Sequence, residues 1–278
     1  MRGRPFELLA HGYSLVEGPS VGPGGKVFFS DVMGGVYRWA DGEGVSTVVP
    51  SRRGVGGIVP HSDGGLLVTG RELLHVREDG SQQVVLSSGD AKGFNDLGTD
   101  MRGRVYVGAL HFNALKGEPP VPGAIWRVDE GSAAELTCEI DWPNGIAVSP
   151  DGCTLYACDY QHSHVLAFDL SESGELSHQR VFARSPASAD GIAVDCDGFV
   201  WVALGAGGAV GRFDPGEGRL VETFDVPATF VASLCFGGSD MRDLLVTTAD
   251  NTDDPSIGGC LLRTRVDVPG LPVHPARV

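Results

Sequence analysis

Positive charge is scarce in this sequence. Its 278 residues carry 21 Lys and Arg against 36 Asp and Glu, a formal net charge of −15. Nucleic-acid backbones are bound by clustered Lys and Arg, so no nucleic-acid partner is expected. An anionic membrane surface is disfavoured for the same reason. Long apolar runs are missing too: nothing approaches the ~18–20 residues a membrane helix needs. Residues 1–10 are basic but hold no long apolar stretch and include Glu7, so no signal peptide is expected. The cysteines, at 138, 153, 158, 196, 235 and 260, form no CxxC pair. They read as reduced thiols of a cytoplasmic protein rather than a disulfide or zinc framework, with a Cys153–Cys158 pair disfavoured. No run of helical period exceeds two turns. The sequence also lacks a GxSxG elbow, a Walker A loop and an HExxH helix, which removes support for covalent serine catalysis. The glycine-rich 205–211 stretch is followed by Arg212-Phe-Asp-Pro-Gly, so no helix N-terminus is available there to hold a pyrophosphate.

Glycine is abundant: 41 residues, about twice the usual share of ~7%. The glycines punctuate short β-branched and aromatic runs such as Lys26-Val-Phe-Phe-Ser, Arg104-Val-Tyr-Val-Gly and Phe199-Val-Trp-Val-Ala. With 42% hydrophobic residues the chain has enough material for a core. Aligning the copies on the glycine that closes the first turn of each (Gly25, Gly65, Gly103, Gly152 and Gly198) and stepping back eight residues lands on Glu17, Gly57, Asn95, Asn144 and Asp190. A sixth copy starts near Ser233. Successive starting points lie 38–49 residues apart, the length of a four-stranded propeller blade. The sequence therefore predicts an all-β protein: a six-bladed β-propeller, one domain over residues 1–278. The tail after residue 268 is broken by prolines, which are kept out of central ladders. Residues 6–10 are therefore expected to supply the outer strand of the last blade, closing the ring and covering exposed strand edges.

In a propeller the first strand of each blade lies nearest the axis, so equivalent residues ring the channel at one height. The eight-residue register puts Glu17, Asn95, Asn144 and Asp190 at that position in four blades. Asn-Gly, Asp-Gly and Asn-Asp are ordinary turn dipeptides. Turn chemistry does not account for Glu17, nor for two carboxylates and two amides meeting on one axis. Buried carboxylates are costly unless paired or bound to metal, and an all-oxygen donor set suits Ca²⁺, Mg²⁺ or Mn²⁺ better than Zn²⁺. Loops after the second strands frame the same mouth and offer His111, His162, Asp31, Asp159 and Asp250 as acid–base candidates, each of which also reads as a solvated loop residue. His164, at the start of a third strand, reads as packing.

On Val16-Glu-Gly-Pro19, Phe94-Asn-Asp96, Pro143-Asn-Gly-Ile-Ala-Val-Ser-Pro-Asp-Gly152, Ala189-Asp-Gly-Ile-Ala-Val-Asp195 and Phe236-Gly-Gly238, the chain resembles the SMP-30/gluconolactonase/LRE family along nearly its whole length. The resemblance implies a six-bladed propeller that binds one divalent cation, most simply Ca²⁺ with Mg²⁺, Mn²⁺ or Zn²⁺ as alternatives, and that hydrolyses lactones. It implies metal ligation by Glu17, Asn144 and Asp190, with Asp190 as general base and Asn95 touching substrate or serving as a fourth ligand. Sugar-lactone enzymes of the family carry an Arg two residues before the Asn-Asp pair, where this chain has Gly93. Where they place a carboxylate in the third blade, the best match is Asn113, beside His111 and Phe112. Losing a guanidinium fork removes a bidentate partner for substrate oxygens, so the expected substrate is a lactone or ester other than gluconolactone, and less polar. His111 and Asn113 join Asn95 as expected substrate contacts.

The expected reaction is metal-assisted opening of the lactone. A carboxylate that ligates a cation is a weakened base, so a cation-activated water, or His111 acting through water, stands beside Asp190 as the source of proton removal. Two other functions fit the same residues: a phosphotriesterase-like hydrolase at the same metal site, and a non-catalytic ligand-binding propeller. A monomer or small homo-oligomer is expected.

Overall fold

Twenty-four short strands and three single turns of 3₁₀ helix make up the regular structure of the computed structural model, which describes residues 5–278 apart from the side chains of 137–139. The Cys138 side chain and residues 1–4 thus lie outside the description; the five other cysteines are free thiols. The strands form six antiparallel four-stranded sheets. Their inner strands are Val16–Val21, Ile58–Pro60, Gly93–Thr99, Pro143–Val148, Ile192–Val194 and Val231–Gly237, taken in order as blades one to six. In the first five blades the four strands are consecutive. In the sixth, Glu7–Tyr13 supplies the outer strand, pairing Glu7 with Arg263 and Tyr13 with Gly259. The N-terminal closure expected from the sequence is therefore present, over Glu7–Tyr13 instead of residues 6–10.

The repeat was set by five turn glycines, and all five sit at positive φ, between 70° and 85°. That region is open to glycine at no steric cost and penalises side chains, which is why the sequence marks each inner turn so plainly.

The apolar residues collect into six clusters, each bridging two adjacent blades. Phe29, Val16 and Leu245 join the first blade to the sixth; Tyr106, Leu155 and Phe168 join the third to the fourth; Trp201, Phe236 and Leu244 join the fifth to the sixth. The core is thus a ring of interfaces around a channel, and inner strands are buried almost throughout while outer strands are mostly exposed. Inner strands also approach one another closely. A Cβ at Gly98 would lie 2.3 Å from the carbonyl oxygen of Ile146, and one at Gly145 would lie 2.6 Å from the amide nitrogen of Ile192. Contacts this short leave no room for any side chain.

The proline-broken tail crosses the lower face of the ring instead of joining a blade. Leu271 N donates to Val194 O, the Thr99 hydroxyl donates to His274 O, and Ala276 N donates to Pro60 O, tying blades five, three and two together. Among the described residues no helix is long and apolar enough to cross a membrane. The 205–211 stretch leads into the strand Ala209–Phe213, not a helix, as the sequence predicted.

Candidate active site

The upper mouth of the channel opens into a cavity of about 440 Å³. Glu17, Asn95, Asn144 and Asp190 all line it, delivered by blades one, three, four and five. Gly57 holds the equivalent position in blade two, and its lack of a side chain leaves room for Asp96 Oδ1, which a Cβ at residue 57 would meet at 2.6 Å. Backbone bonds set the height of the ring: Gly145 N donates to Asp190 O at 3.1 Å between blades four and five, and Asp190 N to Ala203 O at 3.0 Å within blade five. Asn95 Nδ2 donates to Pro143 O at 3.0 Å, which ties blade three to blade four at the level of the ligands.

The electrostatics of this ring are unusual for a folded protein. Asp190 is 2% exposed, and its Oδ1 has no hydrogen-bond partner. Burial, followed by the charge of Asp96, pushes the Asp190 carboxyl well above the usual carboxylate range, with a hydrogen bond from Asn144 opposing. Glu17 is pushed up by burial, then by Asp190 and Asp96, against a hydrogen bond from Gly18 N. Asp96, directly beneath, is pushed up to about 7, again by burial. No Lys or Arg offsets any of them. The neighbouring Cys158 thiol is raised by burial and by Asp190, so it is held protonated and is no nucleophile.

Among the described residues no three His, Cys, Asp or Glu side chains gather as a metal cluster. The donor set here is of another kind, two carboxylates with amide oxygens, and that composition suits a hard divalent cation. The unpartnered Asp190 Oδ1 and the like-charged Glu17–Asp190 pair are the features such an ion would satisfy. The residues present fit the group.

The rim separates into groups that reach the cavity and groups that do not. Asn113 lines it, although its Oδ1 also accepts from Lys116 N at 3.2 Å and so caps a turn of 3₁₀ helix. His111 does not line it; its Nδ1 meets Pro122 O at 2.9 Å, which turns the ring into its own loop. His111 is thus held by its own loop, outside the residues that line the cavity. His162 pairs with Asp141 at 2.8 Å. Asp31 accepts from Ser14 and from Met33 N, and Asp250 from Thr229 N and Phe230 N, so both order loops. Asp159 is buried, with an unpartnered Oδ1.

Two parts of the cavity wall escaped the sequence reading. One is aromatic: the Trp142 ring lies 4.9 Å from Phe112 and 4.7 Å from Tyr160, centroid to centroid. Trp142 directly precedes Pro143-Asn144, and Tyr160 lies in a loop already assigned to the rim, so a signal was available. The other is cationic, formed by Arg53, Arg71 and Lys92. These come from blade two and the connections on either side of it, where the repeat register shows only Gly57.

A six-bladed ring with an oxygen-only acidic centre at one mouth defines the class of protein. The chain belongs to the SMP-30/gluconolactonase/LRE-like family, whose model matches residues 15–250. It is 29% identical to the pentonolactonase XacC of Haloferax volcanii, with 93% of each chain covered. It is also 29% identical to a 6-deoxy-6-sulfogluconolactonase of Pseudomonas putida over 88% of each. The solved structure of a calcium-binding regucalcin from Agrobacterium tumefaciens superposes with a TM-score of 0.87 at 24% identity, covering 99% of this chain and 97% of that one.

Proposed function

We propose that the protein is a divalent-cation-dependent lactonase, with Ca²⁺ as the ion and Glu17, Asn144 and Asp190 as its ligands. One observation carries this reading: a buried pair of carboxylates, Glu17 and Asp190, meets two amides at the mouth of the channel with no cationic side chain to neutralise it. Family membership and relatives named as lactonases support the choice of reaction. When bound, the cation supplies Lewis-acid polarisation of the lactone carbonyl and offsets negative charge as the tetrahedral centre forms.

The protein groups then have separate tasks. Asn95, held by its bond to Pro143 O, presents its side-chain oxygen to the cavity and orients the substrate. Asn113 borders the opposite loop. Phe112, Trp142 and Tyr160 form an aromatic wall of mutually inclined rings that holds the lactone ring and sheds water from that side. Asp190 is the general base: the carboxylate oxygen that the cation would leave unoccupied takes the proton from the attacking water. Burial and like charge raise its proton affinity in the protein alone, and ligation of a cation would act in the opposite direction.

The test is metal-dependent hydrolysis. Protein stripped with a chelator is given Ca²⁺, Mg²⁺, Mn²⁺ or Zn²⁺ singly and assayed on γ- and δ-lactones against the uncatalysed background. Activity should vanish on stripping and return best with Ca²⁺. Turnover that is indifferent to chelator would overturn the reading.

A further inference from the structure

The cationic edge of the cavity has no structural task. Arg53, Arg71 and Lys92 are exposed and line the same 440 Å³ space as the acidic centre. They do not serve the buried acids: the charges acting on Glu17 and Asp190 are other carboxylates. No ion pair engages any of the three among the described residues, whereas Arg104 and Arg212 are paired with Asp100 and Asp195. Three unpaired cations on one wall are notable in a chain of net charge −15.

Their placement is built by the backbone. Arg52 donates from Nε to Thr69 O at 3.0 Å and from Nη2 to Glu72 O at 2.6 Å, clamping the segment that carries Arg71. Phe94 N donates to Gly70 O at 2.7 Å and Gly70 N to Phe94 O, fastening the same segment to the inner strand of blade three. The consequence is close approach at Gly93. A Cβ at that residue would lie 2.9 Å from Gly70 O and 3.6 Å from the Cα of Arg71. Residue 93 therefore has little room for a side chain, and Arg71 projects from the adjoining backbone. Lys92 precedes Gly93 directly, and Arg53 O lies 3.2 Å from the Cβ position of Gly70. Positive charge that is absent at residue 93 is thus returned to the wall by its neighbours, which revises the expectation of a less polar substrate.

We propose that Arg71, assisted by Lys92 and Arg53, recognises an anionic group on the substrate, so that the preferred lactone carries a carboxylate, sulfonate or phosphate away from its ring carbonyl. The proposal rests on the lactonase reading for its substrate and on the cationic edge for its charge. The anion lies against the guanidinium, which offers a planar fork matched to all three groups. The lactone carbonyl lies over the acidic centre, and the aromatic wall faces the ring between them. Opening the ring adds a second negative charge beside Glu17 and Asp190, so the cationic edge also retains one end of a dianionic product.

The experiment compares matched aldonolactones that differ only at the exocyclic carbon: hydroxyl, carboxylate, sulfonate or phosphate. For the parent protein loaded with Ca²⁺, kcat/KM for the best charged lactone should exceed that for the neutral one by about tenfold or more, a scale typical of one charge-assisted contact. Arg71→Gln should lower that ratio by about tenfold, Arg71→Lys should recover part of it, and raising the salt from 0.05 to 0.5 M should shrink it in the parent. Which of the three charged lactones ranks first identifies the anion. Equal rates on charged and neutral lactones, or a ratio untouched by Arg71→Gln, overturn the proposal while leaving the lactonase reading in place. A second readout does not need turnover: calorimetric binding of the ring-opened acids, dianionic against monoanionic. If no lactone is opened, the lactonase reading fails, and a dianion preference that Arg71→Gln abolishes still supports the anion-binding edge. The absence of any such preference rejects it.

Discussion

Asp100 and Asp195, in turns on the lower face of the ring, are buried as deeply as Glu17 and Asp190 at the upper mouth. Their surroundings differ completely. Asp195 accepts from Asp197 N, Phe199 N, Trp201 Nε1 and Arg212 Nε, and Asp100 accepts from Arg102 N, Arg104 N and Arg104 Nε. Each lower carboxylate has a guanidinium and a set of N–H donors built into its own blade. Glu17 has one backbone donor, and Asp190 keeps a bare oxygen. The same strand–turn–strand unit thus produces a closed electrostatic circuit at one end and an open one at the other. Burial of a charge alone does not mark a functional site; here the mark is two buried acids, short of internal partners, that converge on one cavity.

The sharpest way to break this comparison is to neutralise the open end. Glu17→Gln or Asp190→Asn should lower lactone hydrolysis by about 10²–10³-fold or more and weaken Ca²⁺ binding measured by calorimetry, while the metal-free melting temperature holds or rises. A variant with full activity and unchanged Ca²⁺ affinity would falsify the ligand assignment. The closed end should answer in the opposite currency. Asp195→Ala strands Arg212 and removes four hydrogen bonds, so unfolding in urea should show a loss of about 3–5 kcal/mol, with Ca²⁺ affinity of the folded fraction unchanged. Loss of metal binding without loss of stability in that variant would contradict the division.

A third test addresses the inner strands that connect the two ends. Gly98→Ala pushes a methyl group into Ile146 O and should cost about 1–3 kcal/mol in the same urea experiment. The smallest effect is expected from pH. In the metal-free protein Glu17, Asp96 and Asp190 hold their protons more strongly than in the unfolded chain, with Asp96 at about 7. The folded state therefore binds more protons between the usual carboxylate range and about 7, and stability falls as pH rises across that window. Thermal melts with chelator present should show a lower melting temperature at pH 8 than at pH 5, and saturating Ca²⁺ should flatten the slope. A melting temperature that climbs with pH would show that these groups are ionised without cost.

The legible parts of the molecule share one property: they repeat. Gly25, Gly65, Gly103, Gly152 and Gly198 occur because a positive-φ turn recurs in every blade, and counting from them finds the mouth residues. Gly93 was legible as a departure from the family pattern, but its consequence was not. Only the approach of Gly70 to Phe94 places Arg71 beside it, across a blade boundary. His111 shows the limit from the other side. It stands in a rim loop, and a contact with Pro122 O holds it to that loop outside the cavity lining.

The sequence by itself determined the number of blades, the closure by the N-terminal strand, and the identity of the four oxygen-bearing residues around the axis, because a turn glycine recurs in the blades, those residues share one register position counted from it, and prolines keep the tail out of a central ladder. Tertiary structure alone decided which buried acids find partners, which rim groups face the cavity, and that the tail spans the lower face. Those outcomes depend on distances between blades, and blade-to-blade contacts join residues far apart in the chain with no period of their own.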